Sequence, residues 1–94
     1  MKAKRKGNRN EHKAIAILEA AGYSCTRAAG SLGMFDIVAI SRQGLRLVQV
    51  KSNRDAAPAE REAIELFDGI PPGASKEIWI FRDYARAPII KAIA

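Results

Sequence analysis

The hydrophobic pattern of the chain changes between a helical period and a strand period. Between Asn10 and Gly22, apolar residues recur at helical spacing, with Ile15 and Leu18 on one stripe. An asparagine at position 8 or 10 can cap the start of this helix, and Gly22 fits the position after its end. Later segments alternate or run apolar over short stretches, which is typical of strands. The predicted elements are a helix at 10–22, strands at 23–27, 35–41 and 45–52, a helix at 59–67, a strand at 77–82 and an apolar segment of undecided type at 87–94.

This order of elements predicts a mixed β-sheet with helices packed on it, an α/β fold. The central strands are apolar on both sides, as expected where helices cover both faces of a sheet. The chain has 94 residues, so we expect one domain spanning residues 1–94. The core of so small a domain is modest, and dimerisation would add to its stability.

Positive charge is concentrated at the N-terminus. The chain has a net charge of +6, and residues 1–13 contain six basic residues against Glu11 alone, a net of +5. We interpret residues 1–9 as a basic arm. Such an arm suits salt-sensitive contact with the phosphates of nucleic acids. Charge alone leaves a solubilising tail open as the alternative.

The numbers of cysteine and histidine residues exclude two kinds of site. Cys25 is the single cysteine and His12 the single histidine, which excludes a disulfide framework and a zinc site of Cys and His ligands. No apolar run is long enough to span a membrane. The basic N-terminus is not followed by the apolar segment of a signal peptide. We therefore expect a reducing, cytoplasmic setting.

Three polar side chains interrupt the central pair of strands. Asp36 opens the first strand, and Gln49 and Lys51 lie near the end of the second. Gln49 and Lys51 are two residues apart and therefore share a face. With a two-residue loop at 43–44, Asp36 faces Lys51. With a four-residue loop it faces Gln49, and a three-residue loop would separate the three side chains.

A second carboxylate can reach this cluster from the first helix, because Glu11 lies on the core-facing stripe one turn before Ile15. Carboxylate and amide oxygens suit Mg²⁺ or Mn²⁺. A bound divalent ion can activate a water and hold a phosphate oxygen, while Lys51 orients the water or stabilises charge at phosphorus. The alternative is a plain ion pair between Asp36 and Lys51, with Glu11 favoured by the helix dipole.

A series of short motifs follows in order along residues 5–83. They are Arg5-Lys6-Gly7, Glu11 early in the first helix, Arg27 before a loop of small residues, Gly30-Ser31, the run FDIVA at 35–39 and the run VQVKS at 48–52. Together they resemble the PD-(D/E)XK nuclease superfamily, and within it the archaeal-type Holliday junction resolvases. The resemblance implies a restriction-endonuclease-like αβββαβ core. It also implies a homodimer that binds four-way DNA junctions and cuts symmetric strands with Mg²⁺.

Carried over to this sequence, the resemblance implies that Glu11 and Asp36 are metal ligands and that Lys51 is the catalytic lysine. Gln49 stands where the family usually has Glu or Asp. Its carbonyl oxygen can still bind a metal ion, with one negative charge fewer, and we interpret it as a working variant ligand. We expect DNA contacts from Lys4, Arg5, Lys6, Arg9, Arg27, Ser31 and Arg54.

The sequence thus predicts a structure-selective DNA endonuclease that uses Mg²⁺, or alternatively Mn²⁺, and resolves four-way junctions. Two alternatives stay open at this point. One is a general or restriction-like DNA nuclease. The other is a DNA-binding module on the same fold without catalysis.

Overall fold

The described part of the chain forms one mixed sheet with a helix on each face. The structure is a computed structural model that describes residues 2–28 and 34–94, with side chains in the first helix from residue 9 onward. Its elements are α1 (Lys2–Ala20), β1 (Ser24–Arg27), β2 (Ile37–Ser41), β3 (Gly44–Ser52), α2 (Pro58–Leu66), β4 (Ser75–Phe81) and β5 (Ile89–Ile93). The strands lie in the order β1-β2-β3-β4-β5, and only the β3–β4 pair is parallel. The predicted mixed sheet is confirmed.

Helix α1 begins earlier than the sequence predicted. It starts at Lys2, so the expected cap at Asn8 or Asn10 is wrong, because both residues lie inside the helix. The segment before Asn10 contains three lysines and two arginines, which are good helix formers. Asn10 is instead buried, and its side-chain amide donates a 2.7 Å hydrogen bond to Ser52 Oγ. Residues 2–9, predicted as a basic arm, therefore continue the helix.

The end of α1 agrees with the prediction. Gly22 has φ +97°, a left-handed conformation that glycine adopts without steric cost. The amides of Gly22 and Tyr23 donate to the carbonyls of Glu19 and Leu18, each at 3.0 Å. These bonds satisfy carbonyls that the last helical turn leaves open, as in a Schellman motif.

The apolar segment of undecided type is a strand. Residues 89–93 form β5, which pairs antiparallel with β4 at the edge of the sheet. Ile93 is buried, whereas Ile89 and Ile90 are 44% and 47% exposed. The sheet therefore has one strand more than the predicted core and ends in a partly apolar edge.

Two apolar clusters hold the helices to the two faces of the sheet. The cluster under α1 contains Ala14, Leu18, Ile37, Ala39, Val48, Trp79 and Phe81. The cluster under α2 contains Phe35, Leu47, Ile64, Ile78, Ile80 and Ile93. Successive residues of β4 alternate between them, so both faces of this strand are covered. Residues 49 and 51, which alternate with Val48 and Val50, therefore face the α2 side.

A lysine from β4 caps the end of helix α2. Lys76 is buried, and its Nζ donates to the carbonyls of Ile64, Glu65 and Phe67 at 2.7, 3.0 and 3.0 Å. The last carbonyls of a helix have no partner within it, so these bonds satisfy them. A cation at this end also favours the helix dipole. Lys76 thus fixes the position of α2 on the sheet.

A buried ionic network lies under α1. Glu77 is 5% exposed, and its carboxylate accepts hydrogen bonds from Arg46 at 2.7 and 2.8 Å. Trp79 Nε1 donates to the same carboxylate at 2.8 Å, and Ser75 Oγ at 2.5 Å. The guanidinium of Arg46 also lies over the rings of Tyr23 and Trp79, at 5.1 and 5.5 Å from their centroids. The Glu77 carboxylate is thus fully bonded within the protein.

Candidate active site

The open end of the β2–β3 hairpin brings the predicted polar residues together. Ser41 pairs with Gly44, so the turn is Arg42-Gln43, one residue earlier than the two-residue loop considered from the sequence. Ile37 pairs with Val48, which places Asp36 across from Gln49 on the same face of the sheet. This is the register that the longer loop predicted. Lys51 follows Gln49 on that face.

Asp36 is fixed to β3 by two hydrogen bonds. Its amide donates to the carbonyl of Val48 at 2.8 Å, and its Oδ2 accepts from the amide of Val50 at 2.7 Å. These bonds flank Gln49 on both sides. Burial raises the pKa of Asp36 above its usual range, and the nearby charge of Glu11 acts in the same direction. The hydrogen bond from Val50 and the charges of Lys51 and Arg27 oppose the rise.

Gln49 presents a buried oxygen to this edge. The residue is 8% exposed, and its Oε1 has no hydrogen-bond partner among the described residues. A buried acceptor without a partner is costly, so the position favours a bound cation or hydrogen-bond donor that contacts the Oε1 atom of Gln49. Gln49 lines an open depression together with Met34, Ala59, Glu60 and Ala63.

Lys51 is held by a residue that the sequence did not indicate. Its Nζ contacts Glu60 Oε2 at 2.5 Å, and only 11% of its side chain is exposed. Glu60 Oε1 accepts from the amide of Ala57 at 2.8 Å, at the start of α2. The hydrogen bond from Lys51 lowers the pKa of Glu60, and the amide of Ala57 adds to the effect. In the sequence, Glu60 belongs to the run Pro58-Ala-Glu60, which is typical of a helix start and gives no sign of a contact with Lys51.

Glu11 is engaged with a basic residue of β1. Its Oε1 accepts from Arg27 at 2.7 and 3.1 Å, and 19% of its side chain is exposed. It is near enough for its charge to raise the pKa of Asp36. Within residues 2–28 and 34–94, no group of three or more His, Cys, Asp or Glu side chains could hold a metal ion.

The residues expected to contact DNA are distributed around this edge. Arg9 is exposed on α1, Arg27 is 41% exposed, and Arg54 is 65% exposed and lies 3.7 Å from Glu60. Lys4, Arg5 and Lys6 belong to α1, and their side chains lie outside the described part of the chain. Ser31 also lies outside the described residues. These contacts stay predictions.

The fold and this polar edge define the chain as a nuclease of the PD-(D/E)XK class. A model of the archaeal Holliday junction resolvase family, Hjc, matches residues 2–67. The chain belongs to this family and is a junction-resolving nuclease. No curated protein sequence matches the chain.

A solved structure agrees with this assignment of the fold. The chain is similar to the Hjc of Archaeoglobus fulgidus, a Holliday junction resolvase from an archaeal hyperthermophile. The two are 24% identical, with a TM-score of 0.71 over 94% of this chain and 71% of that chain. The α/β fold predicted from the sequence is thereby confirmed. In the described part of the chain, no helix has the length and apolar character needed to cross a membrane.

Proposed function

We propose that this chain resolves four-way DNA junctions as a homodimer, by metal-dependent hydrolysis at the edge formed by Asp36, Gln49 and Lys51. The observation that carries the proposal is the register of the β2–β3 hairpin, which puts the carboxylate and the amide side by side, with Lys51 following on the same face. A two-fold dimer would present two such edges to one junction. Selectivity would come from the shape of the junction and from phosphate contacts.

The residues present fit a hard divalent cation such as Mg²⁺ or Mn²⁺. Asp36 and Gln49 offer oxygen donors, and the buried Gln49 Oε1 lacks any other partner among the described residues. Glu11 would join them by exchanging its contact with Arg27 for the cation. When bound, the cation supplies Lewis acidity toward a phosphate oxygen and lowers the pKa of a water.

The side chains of this chain have separate tasks. Asp36 must be ionised to act, and the burial that raises its pKa holds this charge in a partly dry position. Lys51 carries the ammonium group that would donate to the phosphate or to the attacking water. Glu60 is a positioning residue, because it contacts Lys51 and not the reacting atoms.

The proposed function is tested by offering the purified chain two substrates of equal length, a four-way junction and a linear duplex, with Mg²⁺. Paired symmetric cuts in the junction alone, from a protein with the solution mass of a dimer, are expected. Equal cutting of both substrates would favour a general nuclease. Binding without cutting would favour a DNA-binding module, the candidate that the amide at position 49 supports.

Replacing Gln49 by Glu is expected to strengthen metal binding. The variant adds a negative charge beside Asp36, so the metal concentration for half-maximal cleavage should fall by roughly ten-fold. A metal titration of junction cleavage, together with calorimetric binding of Mn²⁺, measures the change. Gln43→Glu, in the exposed hairpin turn, is the matched control and should behave as the wild type. Complete loss of cleavage in Gln49→Glu would contradict a ligand role.

Replacing Glu60 by Gln is expected to slow cleavage by roughly ten-fold while junction affinity stays within two-fold of wild type. The change removes the charge that holds the Lys51 ammonium at 2.5 Å. Single-turnover rates and junction affinity provide the measurement, and recovery of the rate by a conservative variant separates loss of the charge from loss of the fold. Glu60→Asp keeps the charge and should recover part of the rate. Glu62→Gln, exposed on the same helix, should change neither the rate nor the affinity.

A further inference from the structure

A second feature near the candidate active site is a basic groove between α1 and the turn that joins β4 to β5. Arg9, Asn10 and Lys13 line it from α1, and Arg82, Asp83 and Tyr84 line it from the turn. Three cations and one carboxylate give this groove a net positive charge. All three cations are exposed, as groups that bind a solvated polyanion must be.

The basic groove adjoins the edge that carries Lys51. Strands β3 and β4 are parallel, and Lys51 and Ser52 pair with Ile80 and Phe81, so both strands end at the same side of the sheet. The groove begins directly beyond Phe81. Asn10, on the α1 wall of the groove, donates to Ser52 Oγ at 2.7 Å. The groove lies on the α1 side of this end of the sheet and Lys51 on the α2 side. A DNA strand at the candidate active site would therefore reach the groove around the ends of β3 and β4.

The turn that forms one wall is fixed to β3. The amide of Asn53 donates to the carbonyl of Phe81, and its Oδ1 accepts from the amide of Asp83, both at 2.8 Å. Asn53 and Tyr84 both have left-handed backbones, with φ +62° and +66°. Such a conformation is uncommon outside glycine, and for a bulky residue such as Tyr84 it is disfavoured. The fold thus holds Arg82 at a set position relative to Lys51 and places the Tyr84 side chain fully in solvent.

We propose that the basic groove binds the sugar-phosphate backbone of the junction arm next to the cleaved phosphate, with Lys13 and Arg82 as the principal contacts. This inference rests on the proposed function. The groove is open, polar and positively charged, which matches a phosphodiester chain and not an apolar ligand. The contacts would position the DNA without reading its sequence.

The test removes two charges from the groove and, in a matched control, two from elsewhere. The groove variant is Lys13→Ala with Arg82→Ala. The control is Arg42→Ala with Arg61→Ala, which lie in the β2–β3 turn and on α2. Junction affinity is measured without divalent metal over a range of salt concentrations, after thermal unfolding has shown that both variants fold. The groove variant should bind roughly ten-fold more weakly, and the slope of log K against log salt should become shallower by about two. The control should stay near wild type.

Two results would overturn DNA binding by the basic groove, and a third would overturn the proposed function as well. Equal affinity and salt slope in the two variants would overturn the groove, even where the wild type binds and cuts the junction. Weaker binding with an unchanged salt slope would also overturn it. A variant that makes fewer phosphate contacts releases fewer counterions when it binds, so its salt slope must become shallower. A wild-type chain that neither binds nor cuts the junction would overturn the proposed function and the groove together.

Discussion

Replacing Asp36 by Asn is expected to abolish junction cleavage and to leave junction binding nearly intact. The substitution removes the charge that the cation requires and keeps an oxygen that can accept from the amide of Val50. We expect the single-turnover rate with Mg²⁺ to fall at least ~100-fold. Affinity measured by gel shift should change less than about three-fold, since most affinity for DNA comes from phosphate contacts elsewhere. Cleavage that survives in this variant would show that the site is assigned to the wrong residue.

The same substitution should not destabilise the fold. Burial raises the pKa of Asp36, so the folded chain binds this proton more tightly than the unfolded chain does. The stability linked to this proton is fully present at low pH and is lost as pH rises above about 4 and through the raised pKa. An ionised Asp36 is therefore a cost in free energy of folding that a neutral Asn removes. Without metal, the melting temperature of Asp36→Asn should equal or exceed that of wild type, and Asp68→Asn, which is exposed, provides the control. A lower melting temperature would indicate a structural role for the carboxylate.

The local parts of this site could be predicted from the sequence. Side chains alternate in a strand, so Gln49 and Lys51 had to share a face, and a hairpin with an even loop had to bring Asp36 to it. The sequence did not decide between the two registers, because the turn has no Asn-Gly or Asp-Gly pair to fix its position. The structure places the turn at Arg42-Gln43 and thereby puts Asp36 across from Gln49.

The contacts between distant elements could not be predicted in this way. Glu60 reaches Lys51 because α2 packs on the face of the sheet that carries Lys51, and no periodicity of either segment encodes that packing. Glu11 was expected at the metal cluster from its place on the apolar stripe of α1. The structure pairs it with Arg27, whose nearness depends on how α1 crosses the sheet. In the same way, an asparagine that suited a helix cap became the buried link from α1 to Ser52.

The network around Glu77 shows how much of the fold depends on one such distant contact. Arg46 and Glu77 are 31 residues apart in sequence, and they meet only because β3 and β4 pair in parallel. Burial acts to raise the pKa of Glu77. The hydrogen bonds from Arg46, Ser75 and Trp79 and the charge of Arg46 outweigh it and hold the pKa below its usual range. The network is therefore expected to stabilise the fold only while Glu77 is ionised.

Replacing Glu77 by Gln is expected to be among the most destabilising changes in this chain. It leaves the Arg46 guanidinium, 24% exposed, without its counter-charge, and breaking such a pair costs about 3 kcal/mol or more. For a domain of this size the melting temperature should fall by roughly 10–20 °C.

Because the folded pKa of Glu77 is depressed, the stability that its carboxylate contributes is present above about pH 4 and is lost as pH falls through the folded value. The difference between wild type and variant in urea unfolding should thus be large at pH 7 and smaller at pH 3. Glu65→Gln removes one partner of an exposed pair with Arg61 and should cost less than about 0.5 kcal/mol at either pH. A difference for Glu77→Gln that stays constant between pH 7 and pH 3 would show that shape, and not charge, is what the buried carboxylate contributes.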